Sequence, residues 1–156
     1  MSSHGRVVAI TGATGLLGPV VARAFAARGA RVALLARDRD ELDQVAAALR
    51  GGRDRHLVVP ADLSSAEQAV AAAATVRERL GRADVLLHLV GTFRGGAGLA
   101  QTASSDWQLL FEVNFWTAVR TLAAFLPQLV DGDRGRIVAV STPIAQAPSS
   151  TNAAYA

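Results

Sequence analysis

Short apolar runs alternate with longer amphipathic ones along the whole chain. Arg6–Thr11 (RVVAIT) and Arg31–Ala36 (RVALLA) have the length and β-branching of buried strands. His56–Ala61 (HLVVPA) reads as a third, with Pro60 tolerable only near its end. Asp84–Val90 (DVLLHLV) and Arg136–Ser141 (RIVAVS) read as a fourth and a fifth. Between the strands, apolar residues recur at helical spacing. Leu17, Val20, Val21, Ala24 and Phe25 form one stripe, and Leu42, Val45, Ala46 and Leu49 a second. Ala66, Ala69, Val70, Ala73, Val76 and Leu80 form a third. The longest runs through Trp107, Leu110, Phe111, Asn114, Ala118, Thr121, Leu122 and Phe125.

Strands that are continuously apolar, rather than alternating, belong to a sheet covered on both faces, and such sheets are parallel. Right-handed crossovers then give an α/β fold, a doubly wound, Rossmann-type parallel sheet of about five strands. The 156 residues suffice for one domain, read as residues 1–156.

Composition narrows the function classes. With no cysteine, there is no disulfide framework, thiolate metal site or cysteine nucleophile. The three histidines, His4, His56 and His88, lie too far apart in sequence to suggest a metal site. All 16 basic residues are arginine and 32 residues are alanine, a bias that lifts the pI to about 10.9 although the net charge is only +3. Scattered arginines and 5% aromatic content do not make the clustered basic stripe of a nucleic-acid binder. No apolar run reaches the roughly 18 residues of a membrane span. The expectation is a cytoplasmic protein, without nucleic acid or membrane.

The most specific local signal is TGATGLLG, Thr11–Gly18, between the first strand and the first helical stripe. Gly12 permits a tight turn, Gly15 lets the backbone approach a pyrophosphate, and Gly18 allows close helix–strand packing. The loop residues Thr14 and Leu17 fall within the same cradle.

Here the chain resembles the short-chain dehydrogenase/reductase family, and the resemblance runs over its whole length. The spacing Gly12-x-x-Gly15-x-x-Gly18 is similar to that of the family's extended and atypical members. Asp62 and Leu63, in ADL after the third strand, match the acidic segment that the family places near the adenine ring. Gly91, in HLVG, matches the end of the family's Asn-Asn-Ala-Gly segment, where His88, Leu89 and Val90 replace Asn-Asn-Ala. His88 itself reads more readily as a hydrogen-bonded structural residue than as an acid–base group.

The resemblance implies a nicotinamide cofactor. At the end of the second strand, Ala36 is followed by Arg37, whose guanidinium fork suits a 2′-phosphate, so NADP is preferred, with NAD as the alternative. Asp38 is either a ribose partner or, more simply, a helix cap.

The family's chemistry uses Asn, Ser, Tyr and Lys. Asn114, in VNFW, matches the asparagine, as either a structural bridge or a site residue. Tyr155, the only tyrosine, matches the catalytic phenol, and the family's serine-to-tyrosine spacing lands on Thr142, with Ser141 the second candidate. The resemblance thus implies reversible hydride transfer between the nicotinamide and a carbonyl or secondary alcohol, with Tyr155 as proton donor. The family's lysine would stand four residues beyond Tyr155, but the sequence ends at Ala156 and contains no lysine. The chain is therefore expected to be a C-terminally truncated cofactor-binding portion, catalytically silent by itself. A non-catalytic dinucleotide-binding or sensing module is the alternative from another class. Homo-oligomers are common in the family, and association is an expectation here.

Overall fold

The computed structural model describes residues 5–156; His4 lies outside the described residues. Five strands, β1 (Val7–Thr11), β2 (Arg31–Ala36), β3 (Leu57–Pro60), β4 (Val85–His88) and β5 (Arg136–Ala139), form one sheet in the order β3-β2-β1-β4-β5. Every pairing is parallel, as the apolar runs imply. The expected strands β1, β3, β4 and β5 are each trimmed at one or both ends. Pro60 is the last residue of β3, where its missing N–H leaves no gap in the ladder.

The helices are α1 (Gly18–Ala27), α2 (Arg39–Ala47), the short α3 (Gly52–Arg55), α4 (Ala66–Leu80), α5 (Ser104–Leu110) and α6 (Thr117–Val130). A wide π turn over Phe111–Trp116 joins α5 to α6. Side-chain alternation divides the interior. Val8, Ile10, Leu34 and Leu87 pack against Ala22, Ala26, Leu42 and Ala46 on one face. Ala9, Leu35 and Leu86 pack against Ala69, Ala73, Val76, Phe125 and Leu129 on the other.

Two of the expected stripes are rotated. In α1 the buried residues are Gly18, Ala22 and Ala26, whereas Leu17 and Val20 are half-exposed and Ala24 is exposed. Small side chains let this helix lie close on the sheet, so size, and not hydrophobicity, marks its inner face. In α4, Ala72 joins the buried set while Ala66 and Val70 face solvent. The expected stripe of the longest helix breaks at Phe111, which is half-exposed, because the π turn shifts the helical phase. Downstream, Thr117, Thr121, Phe125, Gln128 and Leu129 face inward. Gln128 is a polar clamp the stripe did not include: its Oε1 accepts from the Ala83 N–H at 3.1 Å and its Nε2 donates to the Ala73 carbonyl at 2.7 Å.

The fifth strand departs from the expectation of burial. Ile137 and Val138 are 42% and 50% exposed, because β5 is an edge strand that none of α1–α4 covers. Among the described residues, one helical run, Ser104–Val130, is long and apolar enough to cross a membrane by length and composition. The sequence pattern promised no such run, since Glu112 and Arg120 interrupt it; the two pair with each other. Here the run lies along the sheet, with Phe125 and Leu129 in the core.

His56 stands just before β3 and ties three elements together. Its Nδ1 accepts the Val32 N–H at 3.1 Å, and its Nε2 lies 3.0 Å from the Arg50 carbonyl, to which it donates. Burial lowers its pKa, opposed by the Arg50 hydrogen bond and helped by the nearby Arg55 cation. A group whose folded pKa is depressed binds more protons when unfolded at pH values between its two pKa values. Its contribution to stability is thus complete above the ordinary value of about 6.5 and is lost as pH falls through and below it. Urea melts are expected to show stability falling from pH 7.5 to pH 5.5, with a shallower fall in His56→Asn. Equal slopes in the two proteins would remove His56 from the account.

Candidate active site

The sheet order reverses between β1 and β4, and a cavity opens over their carboxyl ends, the usual ligand position in such folds. Its volume is about 950 Å³. Gly12, Thr14 and Gly15 form one wall, Arg37, Asp62 and Leu63 a second, and Gly91 belongs to a third. These seven expected residues therefore meet around one space.

Gly12 has φ +65°, and a Cβ there would come within 3.0 Å of the Leu89 backbone, so only glycine fits this turn. Gly15 is exposed on the loop, its N–H bonded to the Gly12 carbonyl at 3.0 Å. Leu17 and Gly18 do not line the cavity. Leu17 caps α1 without a side-chain bond, and Gly18 is buried where a Cβ would collide with the Ala13 backbone. Their part is to seat the start of α1 against the loop, where the Gly18 N–H donates to the Gly15 carbonyl at 3.1 Å.

On the second wall, Asp62 accepts from the Ser64 hydroxyl at 2.7 Å and from the Ser64 N–H at 3.0 Å. Those two bonds, then the Arg37 cation, lower its pKa against a small burial effect, so the carboxylate is ionised. Sequence reasoning missed Ser64; its Asx-turn position two residues after Asp62 was the available signal. Asp38 caps α2, its Oδ1 accepting the Glu41 N–H at 2.9 Å, and it also lines the cavity. Arg37 is exposed at the cavity rim.

Asn114 sits on the π turn, half-buried. Its Oδ1 accepts the Thr92 N–H at 2.8 Å and its Nδ2 donates to the Thr92 carbonyl at 3.0 Å. The amide thus pins the loop after β4, while the Thr117 hydroxyl donates to the Glu112 carbonyl and closes the turn behind it. Thr142 follows β5 in extended conformation, and its Oγ1 accepts the Ile144 N–H at 3.3 Å. Tyr155 packs edge-on against Phe93, ring centroids 4.8 Å apart. Thr142, Asn114 and Tyr155 lie outside the cavity lining, on the elements that follow β4 and β5. Among the described residues no cluster of three or more acidic or histidine side chains could hold a metal.

The profile of the family described as short chain dehydrogenase matches residues 6–156. The chain belongs to that family. Among its short-chain dehydrogenase relatives, an uncharacterized oxidoreductase, YvrD, of Bacillus subtilis (strain 168) is 32% identical over 96% of this chain and 56% of its own length. Dehydrogenase/reductase SDR family member 7B of Danio rerio is 34% identical over 97% of this chain and 50% of its own. The chain therefore spans about half the length of the curated relatives it matches. The crystal structure of an NAD+-bound xylitol dehydrogenase superposes with a TM-score of 0.92 at 26% identity, covering 99% of this chain and 60% of that one. A short-chain dehydrogenase from Shigella flexneri 2a str. 301, complexed with NADP, gives 0.90 at 25% identity, over 99% and 66%. The parallel sheet and flanking helices are those of the short-chain dehydrogenase fold.

Proposed function

We propose that the cavity takes a nicotinamide dinucleotide, preferably NADP(H), and that the chain supplies the cofactor side of a reductase acting on a carbonyl or secondary alcohol. The observation that carries this reading is the rim itself: a tight glycine turn stands opposite an arginine preceded by alanine at the end of β2. The residues fit the group. Gly12 and Gly15 leave room for a pyrophosphate to approach the backbone, and a Cβ at Gly15 would meet only the Gly12 carbonyl, at 3.3 Å. Asp62 would accept from the adenine side, and Arg37 would fork onto a 2′-phosphate. Similarity to one NAD+-bound and one NADP-complexed structure supports the cofactor class.

When bound, the nicotinamide supplies or receives hydride. In this reading the Tyr155 phenol holds the proton that the substrate oxygen takes up on reduction, and the Thr142 hydroxyl donates to the same oxygen. Asn114 keeps the loop after β4 in place by its two bonds to Thr92. The experiment is titration of NADPH and NADH by fluorescence or calorimetry. NADPH is expected to bind more tightly, and Arg37→Ala to weaken NADPH by roughly tenfold, as a charge-assisted bond of about 1.5 kcal/mol implies, with NADH little changed. Equal NADPH affinity in the two proteins would overturn the role of Arg37.

A second copy of the chain is the partner we propose for the exposed apolar face of Phe111, Phe115, Trp116, Val119, Leu126 and Val130. The aromatic rings meet edge-on along it, with the Arg120 guanidinium 5.8 Å from the Trp116 ring centre. The resemblance to a family that associates through helices in this region supports it. Sedimentation is expected to show a dimer or larger assembly that Phe115→Asp with Val119→Asp converts to monomer. A wild-type monomer at tens of micromolar would refute it.

A further inference from the structure

His88 is a buried titratable group that the proposed chemistry does not use. It closes β4, is 4% exposed, and stands in register with Thr11 at the end of β1. Its Nδ1 lies 3.0 Å from the Thr11 hydroxyl, and its Nε2 is buried without a partner. The Thr11 hydroxyl oxygen also accepts the Leu89 N–H at 3.3 Å.

These contacts fix the direction of the bond. If Nδ1 carried the hydrogen, the Thr11 hydroxyl proton and the Nε2 lone pair would both be stranded in a buried place. If Nδ1 accepts the hydroxyl proton, only the Nε2–H is left unpartnered. The neutral ring with hydrogen on Nε2 is thus the form that suits the site. Immediately above this node the Gly12 turn faces the Leu89–Val90 peptide so closely that an added Cβ would stand 3.0 Å from the Leu89 carbonyl and 3.1 Å from the Val90 nitrogen, and all three residues line the cavity.

We propose that His88 is a positioning residue: by accepting from Thr11, its neutral imidazole holds the Leu89–Val90 backbone against the Gly12 turn and so sets the floor on which the dinucleotide rests. The inference rests on the reading that the cavity takes such a cofactor.

Protonation would undo the node, since an added Nδ1–H would face the Thr11 hydroxyl proton and turn it away from its acceptor. Burial alone lowers the His88 pKa, with no charged neighbour contributing. The surrounding elements agree. The strand β1 carries no titratable residue, and Arg136 begins β5 at the opposite end. Glu67, Arg77, Glu78 and Arg79 of α4 are exposed, and Glu112 and Arg120 on the π turn and α6 pair with each other. Asp84, at the foot of β4, is bound by the Val7 N–H and Arg82.

The test is NADPH affinity at pH 8 and pH 5.5, with thermal melts, for the wild type, His88→Asn and His88→Leu. The asparagine oxygen occupies the place of Nδ1 and cannot titrate, so His88→Asn should match the wild type at pH 8 to within about twofold. His88→Leu should bind about fivefold more weakly at pH 8, the worth of one lost hydrogen bond. As the pH falls, the wild type should lose more affinity than His88→Asn, approaching the same fivefold as the imidazole becomes protonated. The 2′-phosphate and His56 titrate alike in both and cancel from that comparison. A purely structural role would lower the melting temperature and leave affinity alone. His88→Leu binding as the wild type does, or His88→Asn with an undiminished pH loss, would overturn the proposal by itself; should His88→Leu not fold, the pH comparison decides. A wild type that binds neither NADPH nor NADH would overturn the cofactor reading and this one with it.

Discussion

Replacing Thr142 with valine in the whole protein is expected to lower kcat about a hundredfold, while Ser141→Ala changes it by no more than a few-fold. Valine keeps the β-branched shape and removes only the hydroxyl, and losing one donor aimed at a developing oxyanion costs 100-fold or more in comparable sites. The Thr142 oxygen already accepts the Ile144 N–H, which orients the group and leaves its proton free to donate. Ser141 is exposed just beyond β5. Thr142→Ser, which retains the hydroxyl, should recover most of the activity and separates this effect from loss of the local cap. The reverse ranking, with Ser141→Ala the more damaging, would move the reacting hydroxyl one residue upstream.

The largest expected effect on stability is at Gly18. A methyl group there would collide with the Cα, carbonyl carbon and oxygen of Ala13, backbone atoms with no rotamer to change. Gly18→Ala should therefore cost about 3 kcal/mol, the upper end for overpacking, with α1 levered off the sheet. Gly15→Ala meets only the Gly12 carbonyl, at 3.3 Å, a tight contact that a shift of a few tenths of an ångström relieves, and should cost about 1 kcal/mol or less, yet weaken dinucleotide binding by crowding the approach. Urea denaturation of both variants, paired with NADPH titration, would check this opposition. Comparable stability losses in the two would show that the packing at Ala13 relaxes more freely than the geometry implies.

The contrast between these glycines explains what the sequence could disclose. Strand identity and parallel pairing followed from continuous apolar runs, because burial on both faces leaves no polar alternation to misread. The glycine loop and Arg37 were legible because backbone approach and charge demand particular residue types near a strand end, whereas Asp62 was read through the family resemblance. The inner face of α1 was not, since Gly18, Ala22 and Ala26 are weak hydrophobic signals beside Leu17 and Val20. Nor was the break in the long stripe, because no local residue announces a π turn; it is held by Thr117 reaching the Glu112 carbonyl. Thr142 and Tyr155 came from spacing within a resemblance, and neither lines the cavity that unites the other residues.

That π turn also divides the longest helical run into two segments with different neighbours. Upstream, Asn114 is tied to the loop over the cavity; downstream, Phe125, Gln128 and Leu129 are tied to the interior and to α4. An extra residue in the turn lets each half keep its own phase, so neither has to compromise its facing for the other. Substitutions beyond Thr117 then bear on the packing of the interior, while those at Asn114 bear on the cavity's edge through Thr92. One helical run thus serves as both keel and gunwale.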